Sequence, residues 1–527
     1  MKHTIRKILA LCFVFAFFYT SFAVNASAKA EPSMPKVSVE GQSFIDEHGR
    51  TRIFNGLNYG IGKQGPAEQL DNEWFAVYAA KGFNVLRLGL YWAEIEPEPG
   101  EYNQEYLHAV DAIFDAAAAH GVYIMLELHQ DLYGQAAGGF GYGAPDWACL
   151  NDGAKTRDSF KYVWAEGYFW GKGVHRSFDN FWANKEACGR GLQDHYAALW
   201  AMMAERWGRR PAMLGYDFLN EPYPGTDGGK IFRSLVARIP LAGLRHPIKT
   251  GKLALSAIRG EKLQMLGFLD DAFMRSITQA ADRRVRQFDE QKYTPFLEKM
   301  TSAIRDATPG GIVFMEHNYY SNLGVPYHAN VPKNEKNMAY SPHGYDFMVD
   351  TEYYNNPSDS RAFSIFHEGR RAQQRLDVPV LVGEWGGEWG GKRWIAHCEA
   401  LLDLFDSYGW SNAYYAFQWS WKWFDYIGCN FLARPYPMAV NGRDAVYKYD
   451  KTAGTFTLEY TQPTDFDPAQ PTILYLPGEG AVKADGLTAE IVPLDHENMP
   501  GASYVYLTGA AGKHSVTVEF SAAGKVT

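Results

Sequence analysis

Short apolar runs recur along the chain between longer stretches in which apolar residues return every three or four positions. The runs predict eight strands, at 54–59, 83–91, 122–129, 214–219, 312–316, 338–341, 378–382 and 413–419. Several are nearly continuous in their apolar character rather than alternating, as strands covered on both faces are. Helical periodicity over 106–119, 192–206, 293–306, 360–375 and 393–408 separates them, with Gly121 closing the first of these helices. Eight strand–helix units predict an α/β fold, a (β/α)8 TIM barrel. After Arg434-Pro435-Tyr436-Pro437 the pattern changes to short β-rich pieces, such as Thr455–Tyr460 and His514–Phe520, divided by Gly- and Pro-containing turns. This tail predicts a C-terminal antiparallel β-sandwich over 439–527. The barrel is expected over 29–438, with insertions near 134–190 and 223–290.

The N-terminus has a different pattern. Lys2, Arg6 and Lys7 precede an apolar run from Ile8 to Phe18, and Ala26-Ser27-Ala28 fits a small-residue cleavage site. Residues 1–28 are therefore expected to be a secretory signal peptide and the protein to be secreted. A membrane anchor would need roughly 18 uninterrupted apolar residues, and Tyr19-Thr20-Ser21 breaks the run. The chain has 527 residues, 46% of them apolar, which suits a large core and excludes a disordered chain. A net charge of -9 argues against a nucleic-acid partner. Cleavage would remove three positive charges and leave -12. The aromatic share of 15% fits a sugar-binding cleft and a large core equally well. Outside the leader, Cys149, Cys188, Cys398 and Cys429 are expected to pair as two disulfides, 149 with 188 and 398 with 429, each stapling a local excursion; four buried thiols are the alternative. No Cys/His spacing suggests a metal site.

Functional residues of a (β/α)8 barrel gather where the strands end. Strand four stops at Asn220-Glu221-Pro222 and strand seven at Glu384-Trp385-Gly386-Gly387. One glutamate at a strand end is usually a solvated or salt-bridged group. Two in phase with an eight-strand pattern are the pair that glycoside hydrolysis requires: an acid for the leaving oxygen and a base or nucleophile opposite. Glu388, in the second Glu-Trp-Gly-Gly, lies one loop further out than Glu384 and is set aside as the rival. Such a pair needs no metal and no organic cofactor.

With these residues in view, the chain resembles glycoside hydrolase family 5, a group of retaining enzymes. His129-Gln130-Asp131-Leu132-Tyr133, Ser177-Phe178-Asp179-Asn180-Phe181-Trp182 and Arg434-Pro435-Tyr436-Pro437 narrow the resemblance to its endoglycoceramidase branch, over roughly 45–527. It implies hydrolysis of the bond between glycan and ceramide in glycosphingolipids, with Glu221 as acid/base and Glu384 as nucleophile. It also implies that Asn220 bonds the sugar 2-hydroxyl, that Arg87 keeps the nucleophile ionised, and that His343 and Tyr345 form the family's His-x-Tyr pair, with Tyr345 donating to Glu384. Trp419 would floor the subsite, and Lys63, His129 and Asp131 would bond sugar hydroxyls. Arg87 could instead be a structural ion-pair partner, His129 a satisfied strand-end histidine, and Trp421 or Trp423 the stacking ring. A glucosylceramidase, a steryl glucosidase and an endo-galactosylceramidase remain compatible; an endoglucanase or a non-catalytic glycolipid binder fits less well. A monomer is expected.

One insertion departs from the family pattern. Residues 230–262 carry eight Lys/Arg and a single acid, Glu261, interleaved with Ile, Leu, Val and Phe. A membrane-facing lid and a helical hairpin with a solvated basic face both account for that composition.

Overall fold

The computed structural model describes residues 34–60, 70–140, 142–156, 163–261, 263, 267–387, 390–417, 420–494 and 496–521. The proposed signal segment therefore lies outside the described residues, as do Lys63, Trp419 and Glu388. Among the described residues no helix is long and apolar enough to cross a membrane.

Eight parallel strands form the barrel: Asn55–Gly60, Val85–Tyr91, Tyr123–His129, Met213–Asp217, Ile312–Glu316, Met338–Ser341, Leu381–Val382 and Ser411–Tyr414. We number them one to eight. Every residue from Val85 to Tyr91 is buried, which explains the nearly unbroken apolar pattern of strand two. Helices Gln104–Ala119, Leu192–Trp207, Thr294–Ala307, Asp359–Leu376 and Lys392–Tyr408 match the predicted periodic segments to within a few residues. Asn103 caps the first of them by accepting from the Tyr106 amide at 3.2 Å.

Strands six and seven close the barrel through a parallel bridge from Tyr340 to Val380 and a short pair, His343–Gly344 against Glu384–Trp385. This closure sets His343 beside Glu384 in register. Gly383 makes it possible, because a Cβ there would stand 2.5 Å from Ser341 Oγ and 2.7 Å from His343 Nε2. Strand eight differs from its expected span. It ends at Tyr414, and Trp421 and Trp423 lie on a helix, Trp421–Tyr426, so these two tryptophans do not alternate along a strand.

The C-terminal region is a sandwich of antiparallel sheets. Its four-stranded sheet comprises Arg443–Asp450, Thr455–Gln462, Gly512–Phe520 and Gly480–Ala484. The other sheet combines Tyr436–Val440, Thr472–Leu476, Ser503–Gly509 and Leu487–Pro493 with three strands from the start of the chain, Val37–Glu40, Ser43–Asp46 and Thr51–Arg52. Phe456, Leu458, Leu474, Val505, Val516 and Val518 fill the space between them. Three tyrosines dock the sandwich on the end of helix Asn72–Ala80: Tyr436 donates to Gly82 O at 2.7 Å, Tyr475 to Ala80 O at 2.8 Å and Tyr504 to Ala79 O at 3.4 Å. Ala80 O is one of the carbonyls that a helix C-terminus leaves without an intrahelical donor, and Gly82 lies just past the helix end. Arg434 completes the joint by donating to Asp406 at 2.5 Å. The Arg-Pro-Tyr-Pro motif thus binds barrel to sandwich.

The expected disulfides are absent: Cys149, Cys188, Cys398 and Cys429 are all free thiols. Cys149 is buried with its sulfur 3.7 Å from Ala144 O, whereas Cys188 is exposed in a turn between Glu186–Ala187 and Arg190–Gly191. Cys398 and Cys429 are both buried, and burial pushes both thiols up, Cys429 to about 12.

Candidate active site

Arg87, in the middle of strand two, is 1% exposed and organises the barrel mouth. It donates to Glu384 Oε1 at 2.7 Å, Asp217 Oδ2 at 3.0 Å, Asn58 Oδ1 at 2.9 Å, Asn220 Oδ1 at 3.2 Å and Glu316 Oε1 at 2.5 Å. Burial alone would lower its pKa, but Glu127, Asp217, Glu316 and Glu384 together hold it well above the usual value. These side chains come from strands one, four, five and seven, Asp217 and Asn220 both from strand four, so the barrel itself gathers the cluster.

Glu384 receives a second bond, from the Tyr345 hydroxyl to Oε2 at 2.8 Å. Glu221 has different neighbours. Asn322 Nδ2 donates to its Oε1 at 2.6 Å, and its backbone amide donates to Glu316 Oε2 at 2.7 Å. That second bond holds Glu221 at a φ of 44°, a left-handed conformation rare for this residue type. Burial pushes the Glu221 carboxyl up to about 7; His343 opposes this, and Glu384 and Asp131 add to it. Between the two glutamates stands His343, fully buried, its Nδ1 3.2 Å from Glu221 Oε1 and 3.6 Å from Glu384 Oε2. Although burial would lower its pKa, Glu316, Glu384 and Glu221 keep it well above the ordinary histidine value.

Glu221, His343 and Glu384 present ligand-type atoms within 4.8 Å of one another. A cation placed among them would face Arg87 and an imidazole already drawn toward its charged form, so the cluster's own charges oppose metal binding.

Strand three supplies His129, whose Nδ1 is 3.2 Å from Glu127 Oε2 and whose Nε2 is 3.3 Å from Asp131 Oδ2. Burial would depress its pKa, but Glu127 and Asp131 raise it well above normal. His129, Glu127, Arg87, Asn58, Tyr91 and the Tyr415–Phe417 segment line a 270 Å³ cavity next to Glu384. Asn220 donates through Nδ2 to Gln130 O at 3.0 Å, which leaves its other N–H for a ligand. Gln130 reciprocates by donating to Asn220 O at 2.8 Å, so the His-Gln-Asp-Leu-Tyr segment braces the Asn-Glu-Pro turn. The Ser-Phe-Asp-Asn-Phe-Trp segment anchors the next residues: Asp179 accepts from the Thr226 amide at 2.9 Å and Trp182 donates to Tyr223 O at 2.8 Å.

The structure therefore brings together Glu221, Glu384, Asn220, Arg87, His343, Tyr345, His129 and Asp131. Four further participants were not selected from sequence: Asn58, Asp217, Glu316 and Asn322. Glu316 ends strand five, so the strand-end rule that selects Glu221 and Glu384 selects it as well. Burial and Glu316 push the Asp217 carboxyl well above its usual range, whereas His343 and Arg87 draw Glu316 down to about 2 against its own burial.

Comparison with known proteins agrees with this arrangement. Residues 45–423 match the family described as cellulase (glycosyl hydrolase family 5), and 434–518 match the glycoside hydrolase family 5 C-terminal domain. The chain belongs to glycoside hydrolase family 5. Among the relatives of this family 5 hydrolase, endoglycoceramidase I of Rhodococcus hoagii (strain 103S) is 23% identical over 509 residues, covering 93% of this chain and 88% of that one. The endoglycoceramidase of Cyanea nozakii is 28% identical over 269 residues, covering 46% of this chain and 50% of its own. The solved structure of endo-glycoceramidase II from Rhodococcus sp. in complex with ganglioside GM3 shares the fold, with a TM-score of 0.65 at 21% identity over 92% of this chain and all of that one.

Proposed function

We propose that this family 5 hydrolase is an exported, retaining β-glycosidase that cleaves the bond between the glycan and the ceramide of glycosphingolipids. One observation carries the reading: Glu221 and Glu384 bring carboxylate oxygens within 4.8 Å of each other in unlike surroundings. Retaining enzymes place their two carboxyl groups about 5 Å apart, whereas inverting enzymes leave room for a water between them. Glu384, bonded by Arg87 and Tyr345, is the nucleophile that attacks the anomeric carbon. Glu221, held at about 7, protonates the ceramide oxygen as it leaves. Protonating the leaving oxygen leaves Glu221 ionised, and with Glu384 esterified no neighbouring carboxylate opposes that charge, so Glu221 stays ionised and serves as the base that activates water. His343 shuttles no proton in this scheme; its charge restrains both carboxylates. Asn220 offers its free N–H to the 2-hydroxyl, and His129 and Asp131 bind hydroxyls in the adjoining cavity.

The glycolipid specificity is supported by the endoglycoceramidase relatives and by the His-Gln-Asp-Leu-Tyr brace beneath the acid. Export rests on the basic, apolar and small-residue order of the first 28 residues. The protein acts as a monomer. Purified protein would be incubated separately with a ganglioside, lactosylceramide, glucosylceramide and carboxymethylcellulose, and the products separated by mass. Intact glycan plus ceramide, abolished in Glu384→Gln, is the expected result, and proton NMR should show the β-anomer released first. Free glucose alone, or action on cellulose alone, would overturn the specificity, and first release of the α-anomer would overturn retention.

A further inference from the structure

The insertion after strand four raises helix Thr226–Arg245 and helix Pro247–Arg259 from the loop that carries Glu221. A soluble surface helix normally turns its apolar side inward. Here Leu244, Ile248 and Ile258 are 76%, 75% and 84% exposed, and Val236, Ile239, Leu241 and Leu255 are exposed too. In the second helix Ser256 is the one buried residue among those described, so most of its circumference is unpartnered. Ile248, Lys252, Leu255 and Arg259 follow one another at spacings of four, three and four, which places apolar groups and cations on the same outward stripe. Among the described residues Arg245, Lys252 and Arg259 have no carboxylate partner. The segment 230–262 carries +7 on a chain of -9, which leaves -16 on the remainder.

We infer that these two helices dock on an anionic bilayer surface, their leucines and isoleucines entering the acyl boundary and their lysines and arginines meeting lipid phosphates and carboxylates. Charge complementarity selects this occupant. A second copy docked through the same face would set +7 against +7, whereas an anionic membrane attracts the face and repels the acidic remainder. Interfacial helices combine cations and bulky apolar residues in this way.

The surface is also mechanically tied to the site. Tyr320 donates to Gly228 O at 2.7 Å, and Tyr319 N donates to Pro222 O at 3.1 Å. Phe232 stacks on Phe169 at 4.4 Å, and Phe169 meets Tyr319 at 6.2 Å. An aromatic path thus runs from the lipid-facing helices to the residue after Glu221. The inference rests on the glycolipid reading for its purpose, since a bilayer is where such a substrate resides, but its test does not depend on hydrolysis.

Flotation would be measured with Glu384→Gln protein on phosphatidylcholine vesicles with and without 30% phosphatidylserine. Binding to the anionic vesicles is expected, falling about a hundredfold in Arg245→Ser/Lys252→Ser/Arg259→Ser at about fivefold per lost charge. Leu244→Ser/Ile248→Ser/Ile258→Ser should also release the protein. Made in the otherwise wild-type enzyme, both sets should hydrolyse a soluble aryl β-glycoside at the wild-type rate, which shows the barrel intact. Equal binding to neutral vesicles, or wild-type binding by either set, would overturn the inference. Concentration-dependent self-association without vesicles, abolished by the same substitutions, would assign the face to a second copy instead. Vesicle binding without glycan release from any detergent-dispersed glycosphingolipid would remove the glycolipid reading and leave the docking surface standing.

Discussion

Replacing Glu384 with glutamine should make Glu221 a stronger acid. In the structure these two groups approach within 4.8 Å, and Glu384 is among the causes that raise the Glu221 carboxyl to about 7. At that separation and an effective dielectric of about 20, the repulsion between two ionised carboxylates is about 3 to 4 kcal/mol, equivalent to roughly two to three pH units. Arg87 and His343 already offset part of the Glu384 charge, so a fall of about one unit is the working expectation, to near pH 6. The sign follows from charge. Removing a negative neighbour favours the ionised form of Glu221 and frees His343 to stabilise it. Carbon-13 NMR of labelled glutamate carboxyls reads the titration directly, with Glu221→Gln identifying the resonance. A midpoint unchanged or raised in Glu384→Gln would refute the coupling to Glu384 and leave burial and Asp131 as the causes. In the wild-type enzyme the same group sets the alkaline limb: kcat/KM should decline as pH rises through about 7, because the proton needed by the leaving oxygen is lost.

Other substitutions test the surrounding residues. Glu316→Gln removes the charge and one of the two oxygens that accept from Arg87 and from the Glu221 amide, so kcat should fall at least about tenfold with the fold retained by circular dichroism; an unchanged kcat would show that Glu316 does not contribute to catalysis. Tyr345→Phe deletes a charge-assisted bond to Glu384 and should cost about 1.5–3 kcal/mol of transition-state stabilisation, read as about a 10- to 150-fold loss in kcat/KM. Gly383→Ala forces a methyl group against Ser341 and His343 and should destabilise by about 1–3 kcal/mol in a denaturant titration, with activity falling further than stability explains. Thiol labelling of the folded protein should modify Cys188 first, and unfolding without reductant should expose Cys149, Cys398 and Cys429 as well; a missing pair of thiols would mean that two of them are bonded.

Much of the barrel was legible because burial on both faces leaves a plain mark on strands such as Val85–Tyr91, and because a (β/α)8 sheet pairs each strand with one near in sequence. Strand ends then located Glu221 and Glu384. What stayed hidden depends on contacts distant in sequence. No local pattern says that Glu316 bonds the Glu221 amide, or that Asn322 reaches back 101 residues to the Glu221 carboxylate. The tryptophan-rich segment after strand eight is ambiguous in sequence, since alternation of Trp419, Trp421 and Trp423 is compatible with a strand, whereas strand eight ends at Tyr414 and Trp421–Tyr426 is a helix. Cysteine spacing was equally uninformative: Cys149, Cys398 and Cys429 are buried free thiols, whereas Cys188 is an exposed one.

The sheet that joins both ends of the chain has a consequence for biosynthesis. Thr51–Arg52 pairs at once with Ser43–Asp46, but it can acquire its second neighbour only when Tyr436–Val440 has been made, almost four hundred residues later. Until then the opening hairpin offers an unpaired strand edge, and the carbonyls that Tyr436, Tyr475 and Tyr504 satisfy stay open to water. A nascent chain can assemble most of the barrel on the way out, yet it cannot finish until its last quarter arrives. Truncation near residue 438 would therefore leave the first strands as well as the last without a home, and those strands would invite pairing with other chains.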